Sequence, residues 1–183
     1  RDTKQGILPN SLAILDSPIL SKKLIRQGFQ QTSIVTAMSL EVPEISFQEV
    51  QNEIIAVTNS QHTQEFADVA SKAFGYTILD GTIGPLLNNN RFRLYLGKYD
   101  DFFASCGIVY FDSDGTAGIH MIGVPEAHRG LGLGKIMTQH LISIASKSKT
   151  TKVYLVASKM GERIYTKMGF KAYGSLLSFN TPQ

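Results

Sequence analysis

With 183 residues, 43% of them hydrophobic and 18% charged, the chain has the size and composition of one globular domain with a sizeable core. All its apolar runs are shorter than the roughly 18 residues of a membrane span, and its first residues lack the apolar core of a signal peptide, which predicts a cytoplasmic protein without membrane contact. The single cysteine, Cys106, excludes an internal disulfide and a multi-cysteine metal cluster, and no metal is expected.

The first part of the chain predicts a helix, two strands and a second helix. Ser17 is the expected N-cap of a helix over 17–27, with Pro18 in its first turn and Gly28 just past its end. A strand-like stretch, TSIVTAMSLEV, follows before Pro43, and a second, NEIIAVT, comes next. A helix with a regular apolar face is expected after it, with Phe66, Val69, Ala70 and Ala73 on that face.

The middle of the chain predicts a loop and then three strands. The stretch FGYTILDGTIGPLLNNN is rich in turn formers and is expected to be a loop. The strands RFRLYLGKY, FFASCGIVYF and TAGIHMIGV follow, and DSDG between the last two indicates a hairpin.

The last third predicts a helix, a strand, a short helix and a final strand. An apolar stripe that includes Leu133, Met137 and Leu141 indicates the first helix. VYLVA is continuously apolar, as in a strand covered on both faces. GERIYTKM is expected to form a helix that ends at Gly169.

Charge and glycine are concentrated in the same part of the chain. Residues 129–171 carry seven lysines and two arginines against one acid, Glu162. Within them, RGLGLGK (129–135) places three alternate glycines between a strand and a helix. Arg129 and Ile136 exclude a Walker loop, and Lys135 excludes a dinucleotide fingerprint. Glycines and free amides at a helix N-terminus suit a pyrophosphate, although a simple turn and a solvated basic face remain alternatives.

Two motifs in order resemble the GNAT superfamily of N-acetyltransferases. They are VPEAHRGLGLG, similar to the family's Arg/Gln-x-x-Gly-x-Gly/Ala loop, and YTKMGF, similar to its Tyr-x-x-x-Gly-Phe, within a match from about Asn52 to Phe179. The resemblance implies an α/β fold with a central mixed, mostly antiparallel sheet flanked by helices. It also implies acetyl-CoA as cosubstrate.

The resemblance also implies which residues form the site. Tyr165 matches the general acid that protonates the leaving thiolate, and Ser158 stands where many relatives place an asparagine that contacts pantetheine. A backbone N–H near Gly123 or Val124 is the expected donor to the thioester oxygen. The full set expected to bind the cofactor is Ile122, Gly123, Val124, Arg129, Gly130, Leu131, Gly132, Leu133, Gly134, Lys135 and Ser158.

The general base is less clearly indicated. Gly118 stands where relatives with a catalytic carboxylate carry it, so direct carboxylate catalysis is not expected. His120 lies on the same face of the strand and suits a base working through water, the alternative being a structural histidine. Weaker candidates are Glu126, His128, His140 and His62.

The N-terminal segment resembles the tail of the same fold. DSPILSKKLIRQGF aligns with ASKMGERIYTKMGF at a shift of 141 residues, with Leu24 in place of the tyrosine. We therefore divide the chain into a helix–strand extension over 1–42, without an active site of its own, and an acetyltransferase core over 43–183. The extension is expected to pack on the core or to pair with another subunit, as in a homodimer.

The sequence thus predicts an N-acetyltransferase in which a primary amine of a small molecule or peptide attacks acetyl-CoA directly. The alternative is a CoA-binding regulatory or scaffold module without turnover. Basic residues near Tyr154, Tyr165 and Tyr173 fit a nucleic-acid binder loosely, but no recognised motif supports one. The acceptor is expected to lie against residues 74–90, where Asp80 can attract an ammonium group.

Overall fold

The computed structural model describes residues 11–42 and 53–182, which fall into two compact units. Unit 1 is formed by the residues up to Ser39 together with those from Val156 onward, and unit 2 runs from Leu40 to Leu155. The domain boundary predicted at Pro43 lies outside the described residues and stays a prediction.

Eight strands and five helices are present in the described residues. In chain order they are β1 (Ser11–Leu15), α1 (Pro18–Arg26), β2 (Gln30–Glu41), β3 (Ile54–Ala56), α2 (Ser60–Phe74), α3 (Asp80–Leu87), β4 (Phe92–Tyr99), β5 (Phe102–Phe111), β6 (Thr116–Gly123), α4 (Leu133–Lys147), β7 (Lys152–Ala157), α5 (Lys159–Lys167) and β8 (Lys171–Asn180).

Unit 2 is built on a mixed sheet with the strand order β7-β6-β5-β4-β3. Strands β3 to β6 pair antiparallel, and β6 pairs parallel with β7, with α4 in the connection between them. The mixed, mostly antiparallel α/β architecture expected from the sequence is therefore confirmed.

Helices cover both faces of this sheet. On one face, Phe66 of α2 and Ile83 of α3 pack with Leu94 and Ile108 in a buried apolar cluster. On the other, α4 lies directly on the backbone of β5, since a Cβ added to Gly107 would be 2.9 Å from Met137. The absence of a side chain at Gly107 thus allows α4 to approach β5 closely.

Unit 1 has three strands in the order β1-β8-β2, with β8 antiparallel to both neighbours. Its core is a separate cluster in which Leu24, Leu177 and Phe179 are buried and Phe29 packs against them. Leu24 therefore has a packing role at the position equivalent to Tyr165.

The two helices of unit 1 are capped alike. Ser17 and Ser158, 141 residues apart, each accept through Oγ the N–H of the residue three positions on. Each helix is followed by a glycine with positive φ, 88° at Gly28 and 95° at Gly169. The next residue is a phenylalanine, whose N–H closes a Schellman hydrogen bond, 3.1 Å long at Phe29 and 3.0 Å at the equivalent position.

The same shift of 141 residues relates the strands. In the β2–β8 pair, Val35 lies opposite Leu176, which is its own counterpart at that shift. The pair also has one extra residue in each strand, Thr32 in β2 and Tyr173 in β8, and these are counterparts as well. Unit 1 therefore contains two helix–strand segments, α1–β2 and α5–β8, related by an approximate two-fold axis between Val35 and Leu176.

Three predictions about elements were wrong. The stretch predicted as a loop contains α3, which forms despite Pro85 and two glycines because Ile83 is buried in the core. Strand β1 was missed, so the N-terminal segment has a strand before its helix. Strand β7 is buried on one side only, and Val156 is half exposed. The remaining helices and strands predicted in the described residues are confirmed to within a few residues.

Candidate active site

Strand β6 carries a bulge at Met121. Its pairing with β5 shifts register between Cys106 and Ile108, because β6 has one residue more than β5 there. Met121 has φ 50°, a left-handed conformation that is uncommon for a residue with a side chain. Bulges of this kind change the direction in which the following backbone groups point.

On the side of β6 that faces β7, only the first residues of the strand are paired. Residues Thr116 to Gly118 pair with Lys152 to Tyr154, and within the described parts of the chain the register assigns no β7 partner to the rest of β6. The N–H of Val124, the residue after β6, also makes no backbone hydrogen bond to any described residue. An unpaired backbone donor is therefore available where β6 ends.

Cys106 lies beneath the bulge and bonds to both sides of it. Its thiol donates to the Met121 carbonyl (3.4 Å), and the Gly123 N–H donates to its sulfur. Burial raises the pKa of the Cys106 thiol to about 12, so the proton needed for donation is retained at neutral pH. Because the Gly123 N–H is directed at Sγ, Val124 is the better placed of the two predicted oxyanion donors.

The glycine loop ends in an uncapped helix N-terminus. A 3-10 turn over Glu126–His128 precedes it, and Gly130 and Gly132 have φ 82° and 79°. A Cβ at either glycine would contact nothing within 4 Å, so the backbone conformation, and not packing, requires glycine there. No described side chain caps α4, which leaves its first amides, beginning at Leu133, directed at the loop.

Some side chains of the glycine loop are buried or hydrogen-bonded, and others are exposed to solvent. Leu133 is buried in the core, whereas Leu131 and Lys135 are exposed. The Arg129 guanidinium donates to the Ala73 carbonyl (3.1 Å) at the end of α2 and to the Val124 carbonyl (3.4 Å). Arg129 thus fastens the loop to α2 and to the end of β6, a role that its place in the motif did not indicate.

His120 occupies the space of the absent carboxylate. A Cβ added to Gly118 would collide with the His120 Nε2 and lie 2.9 Å from the Tyr154 ring. The two rings meet edge to face, with centroids 6.3 Å apart. Desolvation lowers the pKa of His120, so its imidazole is neutral at neutral pH and can accept a proton.

A polar chain behind His120 was not found from the sequence. The Tyr154 hydroxyl donates to Asp112 Oδ2 (2.6 Å), and Arg91 forms an ion pair with Asp112 Oδ1 (3.0 Å). Burial, together with Asp112, raises the pKa of Tyr154 to about 12. Asp112 belongs to the DSDG hairpin and carried only a turn signal in the sequence.

Ser158 and Tyr165 belong to unit 1. The Ser158 hydroxyl caps α5 by accepting the Gly161 N–H at 3.2 Å, and this bond does not use the hydroxyl proton. The Tyr165 ring packs between Gly161 and Phe170, with the two aromatic ring centroids 5.7 Å apart. This fixes the plane of the Tyr165 ring.

The weaker candidate bases lie in ring contacts or in turns of the fold. His140 packs edge to face on Tyr95, and burial lowers the pKa of its imidazole. His128 contacts the ring of Tyr99, and His62 lies in the first turn of α2. The exposed side chain of Glu126 lies in the 3-10 turn.

The described residues contain no group of three or more His, Cys, Asp or Glu side chains that could hold a metal ion. No helix in the described ranges is long and apolar enough to span a bilayer.

Among known proteins, one family model matches this chain. The model of the acetyltransferase (GNAT) family matches residues 54–170, well over half of the chain. No curated protein matches the sequence.

Solved structures share the fold at low identity. The GCN5-related N-acetyltransferase from Kribbella flavida is 17% identical, with a TM-score of 0.73 over 94% of this chain and 68% of that one. The one from Sphaerobacter thermophilus is 16% identical, with a TM-score of 0.69 over 97% and 62%. The ribosomal-protein-S18-alanine N-acetyltransferase from Escherichia coli is 15% identical, with a TM-score of 0.59 over 72% and 94%. This chain thus spans about two thirds of the length of the first two. On the match over residues 54–170, the chain belongs to the GNAT family of acetyltransferases.

Proposed function

We propose that the protein transfers an acetyl group from acetyl-CoA to a primary amine by direct attack, without an acyl-enzyme. The observation that carries this proposal is the pairing of two features within unit 2. One is the unpaired Val124 N–H after the Met121 bulge, and the other is the uncapped start of α4 at Gly132. The first suits a developing oxyanion and the second a pyrophosphate.

The reaction assigns a task to each group. A lysine-like amine has a pKa of about 10.4 and is almost fully protonated at neutral pH, so a proton must leave before attack. His120 accepts that proton through water, and its lowered pKa keeps it in the basic form. As the amine nitrogen bonds to the carbonyl carbon, the Val124 N–H stabilises the oxyanion. The carbon–sulfur bond then breaks, Tyr165 protonates the departing thiolate, and the proton that the amide nitrogen loses returns to Tyr165 through water.

The other predicted cofactor residues act mainly through their backbone. Gly130 and Gly132 supply positive-φ turns, and Leu133 to Lys135 supply the first amides of α4. Ser158 donates its hydroxyl proton toward the pantetheine arm. Cytoplasmic location and a homodimer remain predictions from the sequence.

Tyr165 tests whether the protein turns over. Tyr165→Phe keeps the ring between Gly161 and Phe170 but removes the proton donor, so acetyl-CoA affinity should be unchanged and kcat should fall by about 100- to 10,000-fold. Thiol release with an amine substrate measures kcat, and calorimetry measures affinity. A kcat within twofold of wild type would refute the acid role. A wild type that binds acetyl-CoA and acetylates no amine would instead indicate the regulatory module.

A further inference from the structure

We propose that the acceptor is a primary amine with an aromatic or extended apolar body, which packs against a wall formed by Phe74 and Tyr76. The inference rests on the proposed acetyl transfer and names its substrate class.

The wall adjoins the point at which β6 ends. A Cβ added to Gly123 would be 2.9 Å from the Ala73 Cβ and 3.4 Å from the Phe74 ring. Gly123 immediately precedes the proposed oxyanion donor, Val124. A molecule whose amine reaches the thioester there therefore has the Phe74 ring within reach of its next few carbon atoms.

The wall is aromatic and open to solvent. The Phe74 and Tyr76 rings are stacked, with centroids 6.1 Å apart and planes 29° apart. Phe74 is 40% exposed, Tyr76 63% and the nearby Leu79 65%. Exposed aromatic surface of this kind gains free energy when an apolar group covers it.

The segment that carries the wall is held in place on both sides. Gly75 ends α2 in a left-handed conformation, with φ 78°. The Ser71 hydroxyl accepts the Ile78 N–H (2.8 Å) and donates to the Ile78 carbonyl (3.3 Å). Arg129 bonds to the Ala73 carbonyl just before the first ring. A wall that is already positioned loses little conformational entropy when a ligand binds.

Charges near the wall do not favour a polycation. The sequence from Phe74 to Leu79, FGYTIL, has no charged residue. The next acid, Asp80, accepts the Gly81 N–H. Both carboxylate oxygens of Asp112, behind His120, are already bonded to Arg91 and Tyr154. The wall itself therefore offers no carboxylate to a second ammonium group on the acceptor, which would lose hydration on contact with it.

A panel of amines tests the substrate class by thiol release from acetyl-CoA. We expect kcat/KM for 2-phenylethylamine and hexylamine to exceed that for ethanolamine, spermidine and glucosamine by at least about tenfold. Tyr76→Ala should raise KM for 2-phenylethylamine about tenfold and leave kcat and the KM for acetyl-CoA unchanged, whereas Tyr76→Phe should match wild type. The control is Ile19→Ala, which removes a more exposed apolar side chain (84%) and should have no effect.

The outcomes separate the two proposals. Equal turnover of polar and apolar amines, or an unchanged KM in Tyr76→Ala, would overturn the substrate class and leave acetyl transfer intact. Failure of every amine, despite binding of acetyl-CoA, would refute the proposed function and the substrate class with it. Thermal melts of both Tyr76 variants check that each is folded.

Discussion

His120 is held against Gly118 and Tyr154 in a position that desolvates its imidazole. Because desolvation lowers the pKa of His120 from 6.5, the imidazole stays mostly neutral until the pH falls below that value. The part of kcat/KM that depends on His120 as a base should therefore be lost on the acid side of pH 6.5 and be fully present above it.

His120→Asn should lower kcat by about 100-fold and abolish the inflection of kcat/KM below pH 6.5. The remaining pH dependence should follow the amine substrate alone. Tyr154→Phe is the matched variant, since it keeps the ring beside His120, and it should retain the inflection. A pH profile of His120→Asn that overlays wild type would show that another group is the base.

The Cys106 side chain is the subject of a second prediction, because its thiol bonds to both sides of the Met121 bulge. Cys106→Ser keeps a donor and an acceptor at this point, whereas Cys106→Ala removes both. We expect the serine variant to retain kcat within about threefold and the alanine variant to lose about tenfold or more, with acetyl-CoA affinity unchanged in both.

The alanine variant also leaves a small cavity, so its effect on kcat must be compared with that of a variant that loses stability at a neighbouring buried position. Val109→Ala, at a fully buried position of the same strand, provides that control. It should lower the free energy of unfolding by about 1 to 3 kcal/mol without lowering kcat. Equal losses of kcat in both alanine variants would mean that Cys106 acts through stability alone.

At the scale of elements, the turn into α4 depends on the left-handed backbone of Gly132. Gly132→Val should abolish most of the stabilisation by acetyl-CoA, which for wild type is about 2.7 kcal/mol at 100 times the dissociation constant. Gly115→Val is a matched control, because Gly115 has a similar φ of 83° and equally open space. Both variants should lose stability from strain, and only the first should lose the ligand-dependent shift in melting temperature.

If both glycine variants keep the full ligand-dependent shift, acetyl-CoA does not bind at the start of α4. If both lose it, the loss follows from general destabilisation and the loop assignment fails.

The sequence predicted elements well where periodicity and caps agreed. Helix α1 has Ser17, Pro18 and Gly28 in their expected places, and α4 has its apolar stripe on the core. Helix α3 was missed because Pro85 and its neighbouring glycines argue against a helix, and burial of Ile83 outweighs them. Local propensity was overridden there by tertiary packing.

The candidate site was predictable only where a motif places residues close together in sequence. The glycine loop and the neighbourhood of His120 were found in this way, although their roles remain proposals. The Cys106 bonds and the Tyr154–Asp112–Arg91 chain join residues that are 15 to 42 positions apart. Such contacts depend on strand register, and the bulge that sets the register at Met121 has no signal in the sequence.

At the scale of the whole molecule, β8 lies between β1 and β2, and its Phe179 is fully buried in the core of unit 1. Phe179→Ala should lower the free energy of unfolding by about 3 to 5 kcal/mol, measured by denaturant titration. Hydrogen exchange should become faster in both β1 and β2, because each of them pairs with the destabilised strand. Faster exchange in only one of them would contradict the central place of β8.

The pairing of β8 with both β1 and β2 has a consequence for synthesis of the chain. Strand β8 begins 130 residues after β2 ends, so at about 5 to 20 residues per second it emerges roughly 6 to 26 seconds later. During that interval β1 and β2 lack their shared neighbour, and Leu12, Ile14 and Val35 lack their partners in β8. Early in its life each molecule therefore exposes two unpaired strand edges, which chaperones bind and which aggregate with other nascent chains unless protected.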